Sequence, residues 1–324
     1  MRIRRENLIN KLADGRFHSG QVLAQEMGVT RAAIWKQVRA LADIGLDVFK
    51  VPGKGYRLSQ PLELLDLEKI KAAAGNAANS ISYWAVETEV DSTNALLRER
   101  ESVSGMEVCI AECQMAGKGR RGRLWVSPFG ANIYLSFSMQ YAEMPADVSA
   151  VGLAIGVLCV QALEKKGIRG IGLKWPNDLV WRGRKLGGIL LEMDGEAAGP
   201  CKLVIGVGIN VHMSVEQRDV AGNTPTDLTE IGNPPSRNEL AGALVAELVN
   251  GMKLFQQQGF SAFSDAWYAH DVLVGCTVDV ESGTETVRGS VTGFAENGAL
   301  VVRTVSGVRA FMSGEVSVRD LHVP

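Results

Sequence analysis

At 324 residues, with 46% hydrophobic and 22% charged residues, the chain has the composition of an ordinary soluble protein and enough length for two or three domains with their own cores. The formal net charge of −2 is unevenly spread: residues 1–60 carry eleven Lys+Arg against five Asp+Glu, and the remainder is acidic. Five scattered cysteines without CxxC spacing and four dispersed histidines argue against a disulfide framework and a zinc site, and fit reduced thiols in the cytoplasm.

The N-terminus, Met1-Arg2-Ile3-Arg4-Arg5-Glu6, is charged and lacks the apolar core of an export signal. Gln21–Met27 reads as a short helix, Gly28-Val29 as a turn, and Thr30–Ala42 as a second helix capped by Thr30. Ile34, Val38 and Leu41 share the inner face of that second helix, which leaves Arg31, Trp35, Lys36 and Arg39 outward. This is the pattern of a helix-turn-helix with a cationic recognition helix, followed by a hairpin wing around Gly53-Lys54-Gly55. A solvated helical pair without DNA affinity is the plainer alternative. Monomers of this kind read short half-sites, so useful specificity implies a dimer on a two-fold symmetric operator.

Asp91-Ser92-Thr93-Asn94 follows at a strand-to-helix junction, where small hydroxyls and an amide suit either neutral polar recognition or an N-cap. Gly117-Lys118-Gly119-Arg120-Arg121-Gly122 comes next, its glycines freeing the backbone and its cations (with Arg123) facing concentrated negative charge. The spacing satisfies G-x-G-x-x-G, but a dinucleotide fingerprint opens a helix, and here turn residues and a strand over Ile133–Met139 follow. A phosphate-binding loop of the Walker type fails as well, because Arg123-Leu124 stands in place of Lys-Ser/Thr. A strand–loop–strand anion cradle remains.

The apolar run Ala150–Val160 is short for a membrane span and reads as a buried helix. Lys174-Trp175-Pro176-Asn177-Asp178 presents an amide and a carboxylate at an irregular strand end; such a carboxylate beside phosphates holds Mg²⁺, or the segment is only a shaped turn. Lys185-Leu186-Gly187-Gly188-Ile189-Leu190-Leu191-Glu192 places a lysine before a buried strand whose glycines admit a close neighbour. Val204–Ile209 is a strand ending on Asn210, which contacts a ligand or simply terminates the strand. Ser214–Ser236 is a long connection of low apolar content. Beyond residue 271, short strand-like stretches (Val287–Thr292, Leu300–Thr304) alternate with turns, as in a small all-β barrel.

Taken in order, these segments resemble the bacterial biotin–protein ligases, and the whole chain resembles the bifunctional type that also represses the biotin operon. The likeness runs through the winged helix, Ser92-Thr93-Asn94, the glycine–arginine loop with Trp125, Lys174–Asp178, Lys185–Leu190, Gly208-Ile209-Asn210 and Met312-Ser313-Gly314-Glu315. The resemblance implies an α+β multidomain fold: a winged helix-turn-helix over 1–64, a central mixed α/β ligase domain over 65–270 and an SH3-like barrel over 271–324. It implies formation of biotinyl-5′-AMP from biotin and MgATP, then transfer of biotin to a lysine of the biotin carboxyl carrier protein of acetyl-CoA carboxylase. It further implies a homodimer promoted by the adenylate, operator DNA as a partner and no membrane association.

By the same resemblance, Ser92, Thr93, Asn94 and Gln114 bind the ureido ring, Lys118, Gly119 and Arg120 cover the carboxylate, and Lys185 bridges carboxylate and α-phosphate. Arg120 and Lys185 are thus the catalytic residues. Arg121, Trp125, Asn177, Asn210 and Arg319 contact ATP or adenylate, Asp178 helps hold the metal, and Thr30, Arg31, Trp35, Lys36, Arg39 and Lys54 meet DNA. Lys118 stands where the usual pattern has arginine, and Phe311 and Ser313 where Trp and Gly are expected. A lipoate-type ligase and a non-catalytic biotin-sensing repressor are the competing readings.

Overall fold

The computed structural model describes residues 2–101, 105–143, 148–195, 199–221, 224–282, 285–312 and 316–322. The N-terminal unit has three helices, α1 (Arg2–Leu12), α2 (Gly20–Glu26) and α3 (Arg31–Ala40), then a hairpin of β1 (Val48–Val51) and β2 (Gly55–Leu58). Ser19 caps α2 through Gln21 N–H (3.3 Å), and Thr30 caps α3 through Ala33 N–H (3.1 Å). Between them Gly28 takes a positive φ of 61°, the left-handed turn that ends the first helix and redirects the chain. Ile34, Val38 and Leu41 are buried, while Arg31, Trp35, Lys36 and Arg39 are exposed. α3 stops at Ala40, two residues short of the predicted end, because a 3-10 turn over Ala42–Ile44 carries the chain to Gly45 in the left-handed region.

Next come α4 (Leu67–Ala74), β3 (Ile81–Glu87), α5 (Thr93–Glu99), β4 (Met106–Ala111), β5 (Ile133–Tyr141) and α6 (Val148–Lys165). β6 (Gly172–Lys174), β7 (Asp178–Trp181), β8 (Arg184–Gly195) and β9 (Cys201–Ile209) complete a seven-stranded sheet of order β3-β4-β5-β9-β8-β7-β6. Only β3 and β4 run parallel, so the sheet is mixed. The segment read as one long connection folds into two short helices, α7 (Val215–Ala221) and α8 (Leu228–Ile231). Asp227 caps α8 and Leu228 is fully buried, giving that polar stretch one apolar anchor. The long α9 (Arg237–Gln258) and α10 (Ser264–His270) follow.

α6 extends beyond the predicted apolar run and, by length and composition alone, could cross a membrane. It lies in the core instead, packed against α9 and strands of the central sheet, as a helix apolar on all faces requires when it is enclosed by protein.

The C-terminal unit is a five-stranded antiparallel sheet of β10 (Thr277–Ser282), β11 (Glu285–Phe294), β12 (Leu300–Thr304), β13 (Gly307–Phe311) and β14 (Val316–His322). Its order is β13-β12-β11-β10-β14, and among the described residues the two outer strands do not pair with each other. The unit is docked through Trp175, whose buried indole N–H donates to Gly298 O at 3.1 Å. Ser313, Gly314 and Glu315 lie outside the described residues.

The connection from wing to ligase region is clamped by a buried polar cluster. Arg237, at the start of α9, pairs with Glu112 at 2.6 Å and also donates to the carbonyls of Glu63 and Asn132. Glu112 accepts from Leu65 N–H (2.5 Å), and Asn238 accepts from Asp66 N–H (2.7 Å) while donating to Leu64 O (2.9 Å). Burial raises the Glu63 carboxyl pKa, but hydrogen bonds from Ser236, Asn238 and the Arg237 N–H, with the Arg237 charge, outweigh it and hold the group below its ordinary value. The winged-helix core also runs on into Cys113 and Phe129 of the ligase region, and Phe129 N–H donates to Ile44 O at 3.3 Å. Removing one partner of a buried pair strands the other charge, so Arg237→Ala should lower the unfolding free energy by about 3–5 kcal/mol in urea titration. A loss under about 1 kcal/mol would mean the pair is not holding the linker.

Candidate active site

The glycine–arginine segment folds back on itself between β4 and β5. Trp125 N–H donates to Gly117 O (2.9 Å), and Gly119 N–H donates to Arg123 O (2.7 Å). A 3-10 turn over Arg120–Gly122 forms the tip, with Arg121 at φ 57° and Gly122 at φ 72°. The returning segment brings the Trp125 indole against the sheet, where β8 and β9 pair Gly188 with Gly208. A Cβ on Gly208 would sit 2.6–2.8 Å from the indole ring, and one on Gly188 would sit 3.2 Å from it. Of the two glycines read as admitting a close neighbour, Gly188 thus lies under Trp125, while a Cβ on Gly187 would meet the Gly208 carbonyl of β9 at 2.7 Å.

Below this loop lies a cleft of about 760 Å³. It is lined by Ser92, Thr93, Asn94, Gln114, Lys118, Gly119, Arg120, Arg121, Trp125, Asn177, Asp178, Lys185 and Asn210, so that all but one of the proposed ligand-contacting residues come together. The exception is Arg319, on β14, whose side chain lies outside the described part of the structure. Thr30, Arg31, Trp35, Lys36, Arg39 and Lys54 do not line the cleft and lie on the exposed surface of the N-terminal unit.

At the neutral end Ser92 caps α5, accepting from Ala95 N–H at 3.4 Å, so the capping and lining roles coincide. Gln114 Oε1 accepts from Thr93 N–H (3.0 Å), and Gln114 Nε2 donates to Ser127 Oγ (3.0 Å), which itself donates to Trp125 O (2.9 Å). Asn94 sits deeper: its Nδ2 donates to Glu192 (2.8 Å) and its Oδ1 accepts from Ser136 (2.6 Å).

At the charged end Lys185 Nζ donates to Asp178 Oδ1 at 2.6 Å and stands 5.4 Å from the Trp125 ring centroid. Arg120 Nη1 donates to Asn177 Oδ1 (3.2 Å), and Asn177 Nδ2 donates to Ile189 O (2.8 Å). Burial lowers the Arg120 pKa, opposed by Asp178 and assisted by the like charges of Arg121 and Arg123, although the group stays a cation at neutral pH. The far wall is formed by Met213, Ala221, Thr224 and Pro225. Lys185 N–H donates to Thr224 O (3.2 Å), Thr226 N–H donates to Lys185 O (2.9 Å), and Asn210 Nδ2 donates to Thr226 O (2.9 Å). Arg218 ties this wall together through Asp227 (2.6 Å) and Glu230 (2.5 Å).

Sequence reasoning missed Ser136, Glu192, Thr224 and Pro225. Alternation on β5 and β8 marks the first two only as strand residues, and Thr224-Pro225 meets Lys185 through tertiary contact alone. No thiol offers a nucleophile: the cysteines are buried and free, and burial pushes Cys109 and Cys159 up to about 12. Among the described residues no group of three His, Cys, Asp or Glu could hold a metal by itself.

Comparison with known proteins places this geometry. Residues 87–210 match the biotin/lipoate A/B protein ligase family, residues 4–57 an HTH domain and residues 275–319 the biotin protein ligase C terminal domain. The chain is 40% identical to the bifunctional ligase/repressor BirA of Salmonella typhimurium, covering 97% of both chains. It is 32% identical to the biotin--[acetyl-CoA-carboxylase] ligase of Mycobacterium tuberculosis, over 80% of this chain and 97% of that one. The biotin protein ligase of Aquifex aeolicus solved with biotin and ATP superposes with a TM-score of 0.63 at 28% identity, covering 74% of this chain and 100% of that one. With a helix-turn-helix unit ahead of such a cleft, and that identity over almost its whole length, the chain belongs to the family of bifunctional biotin ligase/repressors.

Proposed function

We propose that this chain activates biotin with MgATP as biotinyl-5′-AMP, transfers the biotinyl group to a lysine of the biotin carboxyl carrier protein of acetyl-CoA carboxylase, and represses biotin-synthesis genes from operator DNA. The observation that carries the proposal is the convergence of Lys118, Arg120 and Lys185 with the neutral Ser92, Thr93 and Gln114 in a single cleft. A ligand with a cyclic urea at one end and a carboxylate at the other fits that division. The names of the relatives favour biotin over lipoate.

In the first step a biotin carboxylate oxygen attacks the α-phosphorus and pyrophosphate leaves. Lys185 exchanges its partner Asp178 for the oxygens of the reacting carboxylate and α-phosphate, and Arg120 offsets the remaining charge. A donor aimed at charge that develops only in the transition state contributes about 2.7–4 kcal/mol. Asp178 lies beside Asn177 at the charged end and is only partly exposed, a placement that suits one carboxylate ligand to Mg²⁺ with the triphosphate supplying others. In the second step the carrier lysine amine attacks the acyl carbon and AMP leaves. Lys118, Gly119 and Trp125 cover the mixed anhydride and keep water from it. Arg121, Asn210 and Arg319 act on the nucleotide.

Thr30, Arg31, Trp35, Lys36, Arg39 and Lys54 form the DNA face, and the adenylate-loaded form dimerises to place two such faces on the operator. We take the domains as 1–64, 65–270 and 271–324, the last an SH3-like barrel, and the protein as cytoplasmic with no membrane partner. The direct test is incubation with labelled biotin, MgATP and apo carrier domain, which should give ATP-dependent label on the carrier lysine; no transfer at all would refute the ligase reading. Lys185→Ala should lower kcat about 100- to 1000-fold while leaving the melting curve near wild type, and near-normal turnover would remove Lys185 from its role. Gly208→Val should drive Trp125 off the sheet, raising the KM for MgATP about tenfold or more and blue- or red-shifting the tryptophan emission; unchanged emission and kinetics would show that Trp125 does not depend on that glycine. Sedimentation should show dimers with biotinyl-5′-AMP and a weaker association without it, and equal association in both would sink the repressor switch.

A further inference from the structure

The outer face of the wing carries a row of side chains that the ligase cleft does not use. His18 and Tyr56 exchange backbone hydrogen bonds (2.8 and 2.9 Å), which sets the 17–18 segment on one side of β2, with β1 on the other. Side chains alternate across such a sheet. Val48, Tyr56 and Leu58 turn inward to the core of the N-terminal unit. Phe49 and Arg57, which are cross-strand partners, take the opposite face with Phe17. The Arg57 guanidinium lies between the two rings, its Cζ 5.0 Å from the Phe17 centroid and 5.4 Å from that of Phe49. Lys54, at the tip of the wing, stands 5.8 Å from the same Phe17 ring.

Burial does not explain this row: Phe49 is 49% exposed, and neither phenylalanine joins the core of the N-terminal unit. Charge pairing does not explain it either. Among the described residues, the side chains of Lys50, Lys54 and Arg57 make no ion pair and no hydrogen bond. Of the Arg57 nitrogens only Nε is buried without a partner, so the two terminal ones reach solvent. Rings on both sides attract the cation and limit its rotamers. A guanidinium held in this way meets an anion with little further loss of side-chain entropy. Three cations spaced along one hairpin suit an extended polyanion, and Lys54 joins them to the DNA face assigned above. The face of a sheet this broad does not enter a groove, so its contact with a duplex is to phosphates and not to base edges.

We infer that the Phe17–Arg57–Phe49 row is a phosphodiester clamp, in which Arg57 grips a DNA phosphate away from the bases read by α3 and the two rings position it. The inference rests on the DNA-binding reading above. It adds a contact that supplies affinity and fixes orientation while carrying no sequence information. A guanidinium donates two N–H groups to one phosphate, which a lysine at this position would not do.

Fluorescence anisotropy on the full chain, loaded with biotinyl-5′-AMP, tests this. The probe is a labelled duplex of about 40 base pairs that the wild-type chain selects from a random-sequence pool, titrated from about 50 to 200 mM KCl. Arg57→Ala should weaken binding about tenfold in the middle of that range and flatten the slope of log K against log[KCl] by about 0.9 for each protomer bound. Phe49→Leu keeps every charge and should weaken binding about threefold with the slope unchanged. Lys11→Ala removes a charge of the same unit that is engaged with Glu26, and it should leave slope and affinity near wild type. Biotin transfer to the carrier should stay within about twofold of wild type in all three variants. An unchanged slope in Arg57→Ala overturns the inference. So does an equal flattening in Lys11→Ala, which would assign the effect to net charge. Wild-type affinity in Phe49→Leu removes the positioning role of the rings and overturns the clamp. If Arg57→Ala does not fold, Arg57→Gln keeps a stem against the rings and carries the same expectation. A wild-type chain that selects no duplex would overturn the DNA-binding reading itself, a result separable from every variant effect.

Discussion

The site depends on a sheet face kept bare. β8 and β9 pair Gly188 with Gly208 and Leu190 with Gly206, which leaves a strip with almost no side chains down the middle of the central sheet. Trp125 lies on two of those glycines, and Asn94 approaches the third so closely that a Cβ on Gly206 would stand 2.6 Å from its Oδ1. Side chains there would lift both the loop and α5 and close the cleft beneath them. Sheet interiors usually forgo such glycines because they weaken a strand, and that cost is accepted here where an indole and the Asn94 amide lie against the backbone.

The loop that covers the cleft also touches the DNA-binding unit. Its tip carries Arg120 and Arg121, its return strand carries Trp125, and a few residues on Phe129 enters the core of the winged helix. Pro128 O, between them, accepts from the buried Tyr134 hydroxyl at 2.8 Å, and burial holds that phenol well above its ordinary pKa and therefore protonated. The loop over the cleft and the winged-helix core are thus joined by direct packing. The Arg237–Glu112 cluster fixes the other end of the same interface by holding the linker against α9. The two activities share packing as well as a chain.

Within the cleft, charge and neutrality are separated along one axis. Lys185, Arg120 and Asp178 stand at one end, where the one carboxylate offsets part of the positive charge of the two cations and eases the burial of Arg120. Hydroxyls and amides stand at the other, each already committed to a neighbour in a definite direction. Preset directions lower the reorganisation that binding would otherwise require.

Much of this was legible in the order of residues. The capped helix of Thr30 with Ile34, Val38 and Leu41 inward is a local pattern that no tertiary contact overrides, and the cationic glycine loop between two strands excluded the nucleotide folds that its spacing imitates. Ser92, Lys118, Asp178 and Lys185 could be named because chemical type and motif travel together, and Gln114 through the family resemblance alone. Other features needed the folded chain. α8 rests on burial of Leu228, the outer strands of the C-terminal sheet do not pair with each other among the described residues, and Thr224-Pro225 pairs with the backbone of Lys185 from a distant part of the chain. The sequence by itself determined which chemical groups are present and which helices and strands carry them, since capping and periodicity act over a few residues. Only the tertiary structure decided that Glu192 would reach Asn94, that Asp178 would hold Lys185, and that Phe129 would join the winged-helix core. Those pairings are set by strand register and packing between residues far apart in the chain, which no local pattern encodes.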